Sequence, residues 1–98
     1  MLLEAVPNFS EGRDEVTLAA LAAALGAHAR VLDVHADADH DRSVFTVVGR
    51  PNELVEALVA GARVAVERID LRGKDGVHPR IGVADVLPLV PLQPQQLA

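Results

Sequence analysis

The period of the hydrophobic pattern changes several times along this chain, and the order of those changes constrains the fold more than any other feature. Four apolar or β-branched runs bounded by polar residues predict strands at residues 2–7, 30–36, 42–49 and 81–90. Two segments that begin at Asp14 and at Pro51 instead repeat apolar residues every three to four positions, which predicts helices. The predicted element order is therefore β-α-β-β-α-β.

This order predicts an α+β sandwich of the ferredoxin-like type. Right-handed β-α-β crossovers and a short hairpin between the second and third strands place the third strand between the first and the second. The fourth strand then pairs with the first. We therefore predict one four-stranded antiparallel sheet with both helices on one face, formed by residues 1–92 and followed by a tail at residues 93–98.

Half of the 98 residues are hydrophobic, so the chain is able to bury a core despite its length. In the second helix Gly61 indicates close packing. The strands carry apolar residues at both alternating positions, so we expect the helix-free face of the sheet to be covered by a second copy of the chain or by another protein. The predicted buried stripe of the second helix consists of Leu54, Leu58, Ala62, Ala65 and Ile69.

The composition argues against several classes of function. A net charge of −5, with no Lys/Arg cluster beside aromatic residues, argues against a nucleic-acid surface. The chain contains no cysteine, which excludes thiolate nucleophiles and cysteine zinc sites and fits a cytoplasmic protein. No apolar run approaches the roughly 20 residues that a membrane helix needs, and the first residues do not have the features of a signal peptide.

Three polar segments should meet at one end of the predicted sheet, because the first strand ends there, the hairpin turns there and the fourth strand begins there. Their sequences are NFSEG (8–12), DADHDR (37–42) and GVHPR (76–80). They contain most of the polar residues that are unusual in this chain. We therefore expect a functional site at this end of the sheet.

The first of these segments offers an amide, a hydroxyl and backbone N–H groups just before a helix, which suits the binding of an anion or a substrate. Asn8, Ser10 and Glu11 are accordingly candidate ligands, and Asn8 is the best of them. The alternative is that the segment serves only to turn the chain and start the helix.

The second segment contributes His40 and Arg42, which face the same end of the sheet and are further candidate ligands. The histidines and carboxylates between His35 and Asp41 could hold a divalent metal. A calcium loop counted from Asp37 would need glycine at its sixth position, where Arg42 stands, so we predict no metal there. The alternative to a binding role for this segment is a solvated hairpin turn.

The third segment contains His78 and Arg80, separated by a proline. An imidazole can both accept and donate a proton near neutral pH, but an exposed loop histidine explains His78 as well. Arg80 could bind a substrate carboxylate through two hydrogen bonds, or it could pair with an acid such as Glu11.

Three stretches of this chain resemble the N-terminal subdomain of glutamate formimidoyltransferases. They are VPNFSEGRD (6–14), DADHDRSVFTVVG (37–49) and HPRIGVADVLPLVPL (78–92). The resemblance keeps the order of these motifs and covers nearly the whole chain, which corresponds to only the opening part of the longer enzymes. It implies transfer of the formimino group of N-formiminoglutamate to N5 of tetrahydrofolate, the co-substrate, in histidine breakdown. It also implies that His78 is the catalytic acid/base.

The sequence departs from that family at two places. Asp75-Gly76-Val77 stands where Lys-Gly-Glu usually precedes the His-Pro-Arg motif, and Asp41 stands where asparagine is frequent. Two alternatives to catalysis by this chain therefore remain open. One is a non-catalytic module that self-associates through its open sheet face, and the other is a subunit completed by a separately encoded partner.

Overall fold

The computed structural model describes residues 1–70 and 81–89. Six elements follow one another in the predicted order: β1 (Leu2–Phe9), α1 (Glu15–Gly26), β2 (Arg30–Asp37), β3 (Arg42–Gly49), α2 (Pro51–Asp70) and β4 (Ile81–Leu89). The strands form one sheet in the order β2-β3-β1-β4, with every neighbouring pair antiparallel. Both helices pack on the same layer of strands, so the predicted α+β, ferredoxin-like arrangement is confirmed.

The strands have one face covered by the helices and one open face. On β1 the covered face carries Ala5 and Phe9, and on β3 it carries Phe45 and Val47, all of them buried. The two phenylalanine rings meet edge to face, with their centroids 5.5 Å apart. This contact explains why β1 continues to Phe9, two residues beyond its predicted end.

The strand β1 therefore includes Asn8, which the sequence pattern assigned to a loop. Its neighbour Pro7 cannot donate a backbone hydrogen bond, and the pairing of β1 with β4 shifts its register between Ala5 and Pro7. Asp85 of β4 falls within that shift. The predicted loop at residues 70–80 and the predicted tail lie, apart from Asp70, outside the described residues.

The helix α2 packs against α1 through small residues. A Cβ added at Gly61 would lie 2.9 Å from Leu25 Cδ2 and 3.4 Å from Phe9 Cζ, which confirms the close packing expected there. The predicted stripe is correct at Leu54, Ala65 and Ile69 but wrong at Leu58 and Ala62, which are only half-buried. Ala57 and Gly61 take the central buried positions instead, because the helix turns its smallest residues towards its neighbour.

The open face carries more polar side chains than the covered face. It also presents apolar groups, of which Leu32 and Leu87 remain about half exposed. No helix within residues 1–70 and 81–89 has the length and apolar character needed to cross a membrane.

Candidate functional site

The segment between β1 and α1 is bonded directly to the turn between β2 and β3. The backbone N–H of Gly12 donates to Asp41 Oδ1 at 2.9 Å, and Arg13 Nε donates to the carbonyl of Ala38 at 2.7 Å. The Arg13 guanidinium also lies 4.0 Å from Asp41 Oδ2. Two of the three segments that were expected to converge therefore contact each other.

Gly12 allows this contact because its backbone lies against the two residues that close the hairpin. A Cβ at this position would lie 2.3 Å from the carbonyl oxygen of Asp37 and 2.5 Å from the backbone nitrogen of Arg42. Asp41 adopts a φ of 50°, in the left-handed region that aspartate and asparagine tolerate better than most residues. The turn is thus held in a defined backbone conformation from two sides.

Glu11 is fully buried beneath this segment. Its Oε2 accepts hydrogen bonds from the backbone N–H groups of Arg13 and Asp14, both at 3.1 Å. Asp14 occupies the N-cap position of α1, but its carboxylate accepts the Thr17 hydroxyl at 2.5 Å and makes no capping bond to the backbone. Glu11 therefore satisfies the donors that precede the helix, and its contact with a ligand stays a prediction.

Asn8, Val44 and His35 form a row across three strands of the open face. Val44 of β3 pairs with Asn8 of β1 on one side and with His35 of β2 on the other. His35 reaches this face because the register of β2 shifts by one residue between Val31 and Asp33, which reverses the alternation of side chains beyond the shift. Without that β-bulge, His35 would face the helices.

Asn8 is half-buried in this row. Its Nδ2 donates a hydrogen bond to the carbonyl of Val6 at 3.0 Å. On the far side of β1, Asn8 pairs with Gly82 of β4, and the next residue, Phe9, pairs with Ile81. The start of β4 therefore lies beside the end of β1, as the topology predicts.

A pocket of ≈ 340 Å³ opens at the turn end of the β2–β3 pair. We call it the hairpin pocket. Two predicted ligands, His40 and Arg42, belong to its walls. The complete set of residues that line it is His35, Asp37, His40, Arg42 and Val44.

Asp37 and His40 bind each other at the rim of this pocket, with Asp37 Oδ2 2.5 Å from His40 Nδ1. The other carboxylate oxygen, Asp37 Oδ1, accepts the backbone N–H groups of Asp39 and His40 at 3.0 and 3.3 Å. The hydrogen bond from His40 is the main reason why the pKa of Asp37 lies below its ordinary value. Asp37 is thus held as a carboxylate that closes the turn.

The structure does not assemble these side chains into a metal centre. Among residues 1–70 and 81–89, no three His, Cys, Asp or Glu side chains are grouped closely enough to hold a metal ion. In the turn between His35 and Asp41, for which no metal was predicted, Asp37 is engaged by His40 and by backbone donors.

The remaining predicted site residues are placed as follows. Ser10 is half-buried in the segment that follows β1. His78 and Arg80 lie outside the described residues, so their predicted roles as acid/base and as substrate ligand stay predictions.

Sequence analysis missed three residues of the hairpin pocket as binding candidates. His35 and Asp37 were considered only as metal ligands or turn residues, and Val44 only as a strand residue. The sequence gives one signal for the bulge that exposes His35. Apolar residues occupy both odd and even positions of β2, namely Val31, Leu32 and Val34. That pattern also fits a strand buried on both faces, so it does not identify a bulge.

Comparison with known proteins identifies the class to which this fold and this set of loops belong. The family model of the formiminotransferase domain, N-terminal subdomain, matches residues 2–98. The chain belongs to this family.

Curated relatives include a glutamate formimidoyltransferase from Thermoplasma acidophilum, which is 46% identical over 94 residues. That alignment covers 94% of this chain and 31% of the relative. The formimidoyltransferase-cyclodeaminase of Gallus gallus is 44% identical over 93 residues, which are 93% of this chain and 17% of that protein. A glutamate formimidoyltransferase from Streptococcus pyogenes is 40% identical over 94 residues, with 94% and 31% covered. The chain therefore spans less than a third of the length of these relatives.

Proposed function

We propose that this chain forms the part of a glutamate formimidoyltransferase that supplies the acid/base and one wall of the substrate site. The reaction transfers the formimino group of N-formiminoglutamate to N5 of tetrahydrofolate and releases glutamate. Membership of the formiminotransferase family and the names of relatives that are 40–46% identical support the proposal. Tetrahydrofolate serves as co-substrate, and the reaction belongs to histidine breakdown.

The chemistry of the transfer requires a group that moves protons in both directions. N5 attacks the amidine carbon, a tetrahedral intermediate forms, and the bond from that carbon to the glutamate nitrogen then breaks. The attacking nitrogen loses a proton and the departing amine gains one, so a single imidazole can serve both steps. His78 is that imidazole in our proposal, and Pro79 restricts the backbone before it.

The observation that carries the proposal is the bonding between the first two segments at the end of the sheet where β4 begins. Gly12 and Asp41 tie those segments together, and Ile81 pairs with Phe9 beside them. His78 stands three residues before Ile81 in the sequence, which supports a role at this end of the sheet.

The same location supports the proposed substrate and folate ligands. Asn8 lies on the open face, while His40 and Arg42 line the hairpin pocket. Ser10 and Glu11 belong to the segment that contacts the turn, and Arg80 directly precedes β4. The complete set of proposed ligands is Asn8, Ser10, Glu11, His40, Arg42 and Arg80.

The test is an assay of 5-formiminotetrahydrofolate formation from N-formiminoglutamate and tetrahydrofolate. We expect turnover by the chain and a loss of at least about a hundredfold in His78→Gln, the range that general acid/base catalysis contributes. His28→Gln is the matched control, because His28 is exposed beyond the opposite end of α1. Equal activity in the two variants would contradict the role of His78.

A second candidate function is a non-catalytic module that self-associates through the open face or joins a separately encoded partner. The half-exposed Leu32 and Leu87 of the sheet favour it. Sedimentation equilibrium of the purified chain tests self-association as a homo-oligomer. Turnover only after addition of a second protein would select the partner model. A cytoplasmic location stays a prediction for either function.

A further inference from the structure

We propose that the hairpin pocket binds a carboxylate group, with the Arg42 guanidinium and the His35 imidazole as its ligands. The ligand class is a small aliphatic carboxylic acid whose carbon chain lies against Val44. The inference rests on the proposed function in one respect only, since it assigns a carboxylate group of N-formiminoglutamate to the hairpin pocket. Binding itself is measurable without turnover.

The acid that is paired with Arg42 across the hairpin forms no ion pair with it. Asp37 is the residue paired with Arg42 across the hairpin, so an ion pair between them would be expected. The carboxylate of Asp37 instead accepts hydrogen bonds from the His40 ring and from two backbone N–H groups of the turn. No hydrogen bond or ion pair of the Arg42 guanidinium occurs within the described part of the chain.

On the open face, His35 and Arg42 occupy neighbouring positions. His35 pairs with Val44, and Arg42 lies two residues before Val44 on the same strand. His35 and Arg42 are therefore diagonal neighbours on one face, at the separation that long side chains bridge. A guanidinium offers two parallel N–H donors to a carboxylate, and an imidazole adds a third donor from the side.

The size and the lining of the hairpin pocket suit a small acid. Its volume of ≈ 340 Å³ is at the lower end of the range for small-molecule sites, which suits a small acid. Val44 is its apolar residue, and it lies opposite His35 and two residues from Arg42 on β3. The carboxylate of Asp37 at the rim disfavours ligands that carry more than one negative charge on the same group, such as phosphate.

The backbone around the hairpin pocket is preorganised. The backbone of Arg42 is enclosed by Gly12, and the preceding residue is fixed by the hydrogen bond from Gly12 to Asp41. The opposite strand is closed by the bonds between Asp37 and His40. Because the backbone on both sides of the pocket is already ordered, a ligand need only order the side chains of Arg42 and His35.

The test is a titration of the isotope-labelled chain with glutarate, followed by amide chemical shifts. We expect saturable shifts at His35, Arg42 and Val44. Arg42→Gln should weaken binding at least about tenfold, because it removes a charge-assisted pair of hydrogen bonds. Arg42→Lys should be intermediate, since it keeps the charge but not the planar fork. His35→Gln should weaken binding by a smaller factor, about threefold, because glutamine keeps an N–H donor that partly replaces the imidazole.

The matched control is Arg30→Gln. Arg30 is exposed on the same open face of the same sheet, opposite Val48 at the far end of β2. Glutarate binding should be unchanged in this variant. Thermal unfolding of every variant separates a lost ligand contact from a damaged fold.

Any one of several results would overturn the proposal. They are the absence of saturable shifts with glutarate, equal shifts with the uncharged glutaramide, or equal losses in Arg30→Gln and Arg42→Gln. Inorganic phosphate that binds as well as glutarate would also overturn it, because the site would then be a general anion patch. Glutarate binding without formimino transfer would contradict the proposed function and leave the carboxylate site standing. Turnover by the chain together with unaltered glutarate affinity in Arg42→Gln would contradict the carboxylate site and leave the proposed function standing.

Discussion

The two faces of the sheet use the same strands for different purposes. On the covered face, Phe45 and Val47 of β3 are fully buried against the helices, and Phe9 of β1 packs on Phe45. On the open face, the alternate positions Val44 of β3 and Asn8 of β1 lie beside the hairpin pocket. Adjacent residues of one strand therefore contribute either to the stability of the fold or to its site.

In a chain with so few unusual residues, this difference indicates that the functional residues lie on the open face. Side chains of the covered face are almost all apolar, so their substitution acts through packing. The open face holds the exposed His35 and Arg42 around one apolar residue, Val44. Substitution of His35 or Arg42 should alter binding while leaving the free energy of unfolding nearly unchanged.

The largest expected difference between the faces is that between Phe45→Ala and Val44→Ala. Phe45 is 0% exposed, so its truncation leaves a cavity and should lower the free energy of unfolding by about 3–5 kcal/mol. Val44 is one residue away and half-buried on the open face, so Val44→Ala should lower the free energy of unfolding by less than about 1.5 kcal/mol. Urea unfolding followed by circular dichroism measures both. Comparable losses would mean that the open face is covered in solution.

A smaller effect is expected where the first segment meets the hairpin. Gly12→Ala places a Cβ within 2.6 Å of backbone atoms of Asp37 and Arg42, which cannot rotate away. We expect a loss of about 1–3 kcal/mol in the free energy of unfolding. Gly26→Ala is the control, because the nearest atom to its Cβ would be 3.8 Å away and alanine favours helix by up to about 1 kcal/mol. Thermal melts should move in opposite directions.

The hydrogen bond between Asp37 and His40 makes the stability of the folded chain depend on pH. The hydrogen bond from His40 lowers the pKa of Asp37 below its ordinary value of 3.8. Asp37 therefore binds fewer protons in the folded than in the unfolded chain at acidic pH. Its contribution to stability is present above pH 3.8 and is lost as the pH falls through the lower folded-state pKa.

Carboxyl carbon shifts measured against pH test this assignment. In His40→Gln the titration midpoint of Asp37 should rise towards its ordinary value, whereas His28→Gln should leave it unchanged. An unaltered midpoint in His40→Gln would show that the backbone donors of the turn, and not the imidazole, hold the carboxylate.

The smallest effect concerns a polar exception on the covered face. The Ser43 hydroxyl is buried and makes no hydrogen bond within the part of the chain described. Ser43→Ala should therefore change the free energy of unfolding by no more than about 0.5 kcal/mol, or raise it slightly. Thr17→Val, which removes a buried hydroxyl bonded to Asp14, should cost about 1 kcal/mol. Equal losses in the two variants would indicate a hydrogen-bond partner for Ser43.

The element order and sheet topology could be predicted because each depends on a regular hydrophobic period and on the handedness of crossovers. The segment after β1 and the turn at Asp41 were correctly expected to meet, since the topology brings the two ends together. The bonds that join them could not be foreseen, because the donor at Gly12 and the acceptor at Asp41 are 29 residues apart. The burial of Glu11 was also missed, since a charged loop residue gives no sign that it satisfies backbone donors.

The bulge at Leu32 has a consequence for how this site can change. The alternation of side chains between the two faces of the sheet reverses at the bulge. Beyond it, His35 and Asp37 lie on the open face. Deleting one residue there would exchange inside for outside along half of β2 while leaving its composition almost intact. The chemistry of this strand thus depends on its length as much as on the identity of its side chains.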